Sequence, residues 1–268
     1  MKKDNSAKNI AKPVKNYFDK AKKLYEEKDY SAAISTLDEA IRLDPNCAKA
    51  YNARGAAKSE IGQYIEAISD FGEAIRLDSN LAKAYSNRGL AKSRLEQYFE
   101  ALSDHDEAIR LDPNLAFAYN NRGFAKYKLG HPKDAIPDFD EAIRLDPELV
   151  IAYSNRSVVK SEIGQHFEAI SDLDMIIRLE PENDTAYNDR GVEKARLGHY
   201  EAAILDYDAA IRINFKDADT YFNRGLCKKR LGRTAGANQD FQKALSLAEK
   251  AGDPELITTI KKHIESAP

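Results

Sequence analysis

Residues 48–81 read AKAYNARGAAKSEIGQYIEAISDFGEAIRLDSNL, and variants of this stretch follow one another every 34 residues. Tyr51 recurs as Tyr85, Tyr119, Tyr153, Tyr187 and Tyr221; Ala67 recurs as Ala101, Ala135, Ala169, Ala203 and Ala237. Gly55 recurs as Gly89, Gly123, Gly191 and Gly225, with Ser157 the one substitution. A fixed period of this length marks stacked structural units, each of which buries its apolar face only against its neighbours. Within the unit, Ala67, Ile68, Phe71, Ala74 and Ile75 fall at i, i+1, i+4, i+7 and i+8, the buried stripe of a helix over about 65–77. Ala50, Tyr51, Gly55, Ala57 and Ile61 mark the packed side of a preceding helix over about 49–61. Gly62 separates the two, where a residue free to take positive φ ends the first helix and lets the chain reverse. Asp44-Pro45, Asp112-Pro113 and Asp146-Pro147 close the second helix, because proline disfavours the α conformation in the residue before it.

The period, with Tyr51, Gly55, Tyr64, Ala67, Phe71 and Ala74 at their spacings, resembles the tetratricopeptide repeat. The resemblance covers seven tandem units: 14–47, 48–81, 82–115, 116–149, 150–183, 184–217 and 218–251. It implies an all-α fold, a right-handed superhelix of helical hairpins. Residues 1–13 hold Ile10 as their one large apolar side chain and are expected to form a disordered basic tail. The first unit is degenerate, with Ala21 in the glycine position, as terminal repeats often are. After Gly252, Asp253-Pro254-Glu255 reads as a helix start, and Leu256, Ile257, Ile260 and Ile264 give residues 252–268 one apolar face for a capping helix. Tail, repeats and cap account for the whole sequence and leave no segment for a catalytic domain.

Hydrophobic residues make up 43% of the chain and charged residues 32%, with a formal net charge of −3. The charge is uneven: residues 1–28 carry nine lysines against four acids, a net +5, which leaves −8 for the remainder. An acidic body argues against general nucleic-acid or anionic-membrane affinity. Cys47 and Cys227 show no CxxC pattern and no histidine partner, so neither a disulfide framework nor a metal site is expected. The N-terminus has no signal-peptide apolar core, and no apolar run is long enough to span a membrane. A cytoplasmic protein without cofactors is expected. Of the five histidines, His131, His166 and His199 fall near inter-helix turns and are read as solvated or capping.

Six arginines of the first helices have an aspartate sixteen residues on: Arg54/Asp70, Arg88/Asp104, Arg122/Asp138, Arg156/Asp172, Arg190/Asp206 and Arg224/Asp240. The first unit changes both partners, to Lys20 and Thr36. Guanidinium and carboxylate match bidentately, and a pair preserved in this way is read as scaffolding rather than as a row of anion sites.

The functional candidate is the opposite face of the first helices, which in tetratricopeptide arrays lines the inner, concave surface. Read from Ala53, one position gives Asn87, Asn121, Asn155, Asp189 and Asn223; read from Asn52, its neighbour gives Ser86, Asn120, Ser154, Asn188 and Phe222. A carboxamide carries a donor and an acceptor and can grip a peptide bond whatever the ligand's side chains. The row resembles the asparagine ladder in the repeat region of O-linked N-acetylglucosamine transferase, which implies an extended polypeptide as ligand. Leu90, Phe117, Phe124, Tyr127, Ile151, Val158 and Val192 add an apolar centre. Arg196, Lys228, Lys229, Arg230 and Arg233 suggest a basic end suited to a segment bearing acidic residues. The carboxylate clamp of co-chaperones in the same family is not assembled, because its positions here hold Phe18, Lys22 and Ala53.

The expected function is therefore a non-catalytic scaffold or adaptor binding an extended segment of a partner protein. The alternatives are self-assembly through the groove or the open ends, and RNA binding through the basic tail and C-terminal cluster. A weak point is expected at Pro132 and Pro137 of the fourth unit and at Ser157, His166 and Ile176 of the fifth.

Overall fold

The computed structural model describes residues 12–265, and all of its regular structure is α-helical. The helices fall into two compact units, one ending at Asp146 and the other beginning at Pro147. The first contains α1 (Lys12–Glu26), α2 (Tyr30–Leu43), α3 (Ala48–Glu60), α4 (Tyr64–Leu77), α5 (Ala82–Arg94), α6 (Tyr98–Leu111), α7 (Ala116–Lys128) and α8 (Pro132–Leu145). The second contains α9 (Val150–Glu162), α10 (His166–Leu179), α11 (Asp184–Arg196), α12 (Tyr200–Ile213), α13 (Ala218–Arg230), α14 (Thr234–Ala251) and α15 (Pro254–Glu265). Odd-numbered helices up to α13 are first (A) helices of a hairpin and even-numbered ones are second (B) helices. This is the all-α tandem-hairpin architecture the period implies. The expected basic tail falls largely outside the described residues, and α1 already includes Lys12 and Pro13.

Small residues set how closely the helices pack. Ala67, Ala74, Ala101, Ala108, Ala135 and Ala142 are fully buried on the B helices. Opposite them, the glycine of five A helices receives a ring from its own hairpin. A Cβ placed on Gly55 would stand 2.7 Å from Cε1 of Phe71, and one on Gly123 would stand 2.9 Å from Cε1 of Phe139. Any side chain there would expel the ring, and a buried phenylalanine lost to alanine costs about 3–5 kcal/mol. The fifth hairpin relaxes both partners at once: Ser157 replaces the glycine, and the buried Leu173 replaces the ring.

The turn between A and B helices uses the left-handed region at Gly62, Gly130, Gly164, Gly198 and Gly232, with φ from 73° to 84°. Two hairpins make the same turn without glycine, at Lys28 and Glu96, each with φ 61°. Ile61, expected on the packed side, is 40% exposed because it caps α3 at this corner rather than continuing the helix. The B helices α2, α4 and α6 end on an aspartate whose side chain accepts the N–H two residues on: Asp44 Oδ1 from Asn46 N, Asp78 Oδ1 from Asn80 N and Asp112 Oδ1 from Asn114 N, each at 3.1 Å. Asp78 precedes serine, so the turn belongs to the aspartate and proline only reinforces it.

In the second unit α15 lies on the last hairpin. Ile260 is fully buried with Phe222, Phe241, Ala244 and Ala248, and Leu256, Ile257 and Ile264 pack around them. Asp253 Oδ1 caps the helix by accepting Leu256 N at 3.0 Å.

Candidate functional site

The arginine–aspartate pairs join helices within each hairpin and extend further than their sequence spacing indicates. Arg54 donates through Nε and Nη2 to the two oxygens of Asp70 at 2.9 and 2.6 Å, and Nη1 donates to Asp38 of the preceding hairpin at 2.6 Å. Lys58 Nζ reaches the same Asp70 carboxylate at 2.7 Å, and the guanidinium lies 5.4 Å from the centre of the Tyr51 ring. Each such aspartate is thus buried between an arginine and a lysine four residues later: Lys92 at Asp104, Lys126 at Asp138, Lys160 at Asp172, Lys194 at Asp206 and Lys228 at Asp240. The second acid recurs as Asp106 on Arg122, Asp174 on Arg190 and Asp208 on Arg224. For Arg88 of the third hairpin, Gly72 of the preceding one stands in the acid's place, and the guanidinium bonds only Asp104 among the described residues. These side chains have their charges satisfied by one another and belong to the scaffold.

The amide row lies half-buried on the A helices and is bonded to itself. In the first unit Asn87 Nδ2 donates to Asn52 Oδ1 at 3.1 Å, and Asn120 Nδ2 to Asn121 Oδ1 at 3.1 Å. In the second, Asn223 Nδ2 donates to Asn188 Oδ1 at 3.2 Å, and Asn188 Nδ2 to Asp189 Oδ1 at 3.3 Å. Asn155 is half-buried on α9 of the same unit. The column read from Asn52 is the deeper of the two, since Ser86 is 5% and Asn120 3% exposed. Asn120 therefore orients its neighbour instead of facing outward. Each outer amide keeps hydrogen-bonding capacity beyond the bond it makes here.

The apolar residues divide in the same way. Leu90 and Phe117 stand exposed in the first unit, and Ile151 and Val158 in the second, at 38–55% of their full surface. Phe124 is half-buried, with Tyr98 edge-on at 6.4 Å and Lys128 Nζ 5.6 Å from its ring centre, and Tyr127 is half-buried as well. The expected basic end is largely neutralised. Lys228 is held by Asp240 at 2.8 Å, Arg233 by Glu201 at 2.6 Å, and Arg196 by Glu193 at 2.7 Å. Arg230 is exposed at the end of α13. Spacing gave no sign of the last two pairings, because Glu201 lies about one repeat from Arg233 and Glu193 stands at a position that is small and uncharged from the second to the fifth repeat and in the seventh.

That position, Glu193, was not among the expected site residues. It aligns with Ala57, Ala91 and Ala125, yet it is a buried carboxylate, 4% exposed. His166 Nδ1 meets its Oε2 at 2.7 Å, and Ser161 Oγ donates to its Oε1 at 2.9 Å. His166 is thus tied to a buried acid rather than solvated or capping as expected. A cavity of about 680 Å³ opens here between α9, α10 and α11. Burial above all, with Glu193 adding to it and the Asn188 hydrogen bond and Arg196 opposing, pushes the Asp189 carboxyl on its wall above the ordinary carboxylate range. Burial likewise raises the thiols of Cys47 and Cys227, the latter to about 11, so both stay protonated at neutral pH. Among the described residues no group of side chains could hold a metal ion, and no helix is long and apolar enough to cross a membrane.

Models described as tetratricopeptide repeat match residues 48–81, 116–149 and 218–250, and one described as TPR repeat matches 21–62 and 193–232. Together they span more than half of the sequence. The chain is a tetratricopeptide-repeat protein. Solved structures agree on this fold. A tetratricopeptide-repeat protein from Parabacteroides merdae is 20% identical, covers 94% of this chain and 99% of its own, and has a TM-score of 0.63. MamA from Desulfovibrio magneticus RS-1, residue 41 to the end, is 24% identical over 64% of this chain and 97% of its own, at 0.60. YrrB, described as a TPR protein with an unusual peptide-binding site, is 25% identical over 66% of this chain and 92% of its own, at 0.55. No curated protein matches this tetratricopeptide-repeat sequence.

Proposed function

We propose that this tetratricopeptide-repeat protein is a non-catalytic adaptor whose A-helix faces hold an extended segment of a partner protein. The observation that carries the reading is the company the amides keep. In the first unit the exposed Leu90 and Phe117 stand on the same helices as Asn87 and Asn121; in the second, Ile151 and Val158 stand on the helix that carries Asn155. Apolar side chains left in water beside unsaturated amides suit a ligand offering both a peptide backbone and side chains. The likeness to YrrB, itself described as having a peptide-binding site, points the same way. The ion pairs of Lys228, Arg233 and Arg196 weaken the case for a ligand chosen by its acidic residues.

The reading is tested by selecting a random library of twelve-residue peptides displayed on phage against the whole protein. Enrichment of a common pattern that is lost in an A-helix-face variant supports it. Peptides that bind that variant as well as the wild type place the site elsewhere.

A further inference from the structure

Four departures from the repeat meet in the cavity of the second unit, and only Leu173, which makes room for Ser157, answers a packing demand. His166 stands where Tyr64, Tyr98 and Tyr200 put a ring, and Leu173 stands where Phe71, Phe139 and Phe241 do. A smaller imidazole in place of a phenol and a leucine in place of a ring line a space of about 680 Å³, within the range of roughly 300–1,000 Å³ usual for ligand sites. Glu193 replaces a small apolar residue, and Asp189 replaces the asparagine of the outer amide column. Local departures from an otherwise consistent pattern gather where function sets a different demand.

The charges of the cavity are unequal. Three carboxylates line it, Glu162, Asp189 and Glu193, against one guanidinium, Arg196. Arg196 Nη1 is committed to Glu193 at 2.7 Å and also bonds Ser161 Oγ, while His166 takes the other oxygen of Glu193. Glu193 is therefore satisfied within the protein and serves to fix the wall. Asp189 is not: its hydrogen bond is to the neutral amide of Asn188 at 3.3 Å, and it forms no ion pair among the described residues. Arg196 lies near enough to favour its charge but makes no direct contact with it, so this carboxylate, half out of water and beside a second one, has room for a cation of its own. Val158, Val192 and Leu173 complete the lining with aliphatic surface, which suits the methylene stem of a long basic side chain with a charged tip.

We propose that this cavity receives an arginine or lysine side chain of the partner segment, with Asp189 as its counter-ion and Val158 and Val192 against its stem. The proposal rests on the segment-binding reading above and names the chemistry that reading leaves open. A second recess of the same unit, lined by Asp184, Asp217 and Asp219 beside Asn188 and Asn223, extends the acidic character along these helices.

The test uses the full protein, the displayed library and the Asp189→Asn variant. The substitution restores the residue that other repeats carry, so the fold is expected to hold, which a melting curve checks. Peptides selected by the wild type should carry a basic residue at one fixed position. When that residue is replaced by citrulline, which has the shape of arginine without its charge, a synthetic copy should bind the wild type at least tenfold more weakly. Against Asp189→Asn the same replacement should change affinity less than twofold. Selected peptides without a basic preference, or an equal citrulline penalty in both proteins, would overturn this inference while leaving segment binding intact. Failure to enrich any peptide would overturn the segment reading and this inference with it.

Discussion

His105 fills the slot opposite Gly89 that Phe71 fills opposite Gly55. A Cβ on Gly89 would lie 2.6 Å from its ring, and both ring nitrogens are buried without a hydrogen-bond partner. The third hairpin therefore packs an imidazole where the others use a phenyl, a phenol or a leucine, Leu37 and Leu173.

That choice makes the first unit sensitive to acid. Burial lowers the His105 pKa to about 4, with nearby Asp104 opposing the shift. The unfolded chain takes up this proton near pH ~6.5 and the folded one only near 4, so stability is lost as pH falls between those values. The loss reaches about 3 kcal/mol. His105→Phe should remove it and stabilise the protein at pH 7 as well, on the order of 1–2 kcal/mol, by eliminating two orphaned nitrogens. Urea unfolding at pH 7.5, 5.5 and 4.5 measures both effects; parallel pH profiles for the two proteins would contradict them.

A second prediction concerns the scaffold pairs. Arg122→Ala should cost on the order of 1–3 kcal/mol, because Asp138 is 3% exposed and loses its bidentate partner. Lys126→Ala should also cost something, since its ammonium lies 2.8 Å from the same carboxylate. In a double-mutant cycle, Asp138→Ala should recover part of the Arg122→Ala loss. Additive costs would show that the two residues act independently.

The turns give a third. Glu96 holds φ 61° in a corner where most other hairpins place glycine, and a non-glycine residue there carries about 1 kcal/mol of strain. Glu96→Gly should raise the melting temperature by a few degrees, whereas Gly62→Ala should lower it. A lower melting temperature for Glu96→Gly would mean that its side chain contributes more than the strain costs.

The fold was legible because a 34-residue period repeats the same packing demand. Arg54 and Asp70 can be paired from spacing alone once the hairpin is recognised, whereas the packing of Phe71 on Gly55 of its own hairpin emerges only in the structure. Helix ends were expected one residue late, as at Ala48 and Tyr64, because caps rest on backbone geometry more than on residue type. The cavity was not legible. Its pairings of Glu193 with His166 and Ser161 span 27 and 32 residues and occur in one repeat only, so periodicity conceals them. Asp189 registered merely as a departure from the amide row.

Pro137 supplies a fourth prediction. It lies inside α8, which runs unbroken from Pro132 to Leu145, so the helix tolerates the missing N–H without ending. Pro132 costs nothing at the first helical position. Because repeats couple mainly to their neighbours, the weakness should stay local. Amide exchange should be faster over residues 130–140 than in α4 and α6, and Pro137→Ala should slow it. Uniform protection in the unaltered protein would contradict this.

The central claim, that the A-helix faces hold an extended segment, meets its most direct test in Asn87, Asn121 and Asn155 changed together to Ala. Alanine already stands at the same position in the second repeat, as Ala53, so the fold should persist with a small loss of stability from the amide bonds of Asn87 and Asn121. Each lost hydrogen bond to a ligand is worth about 0.5–1.5 kcal/mol. Affinity is measured by fluorescence polarisation with a labelled twelve-residue peptide selected by the wild type. The account predicts at least tenfold weaker binding with the helical signal unchanged; equal binding by the triple variant and the wild type would contradict it.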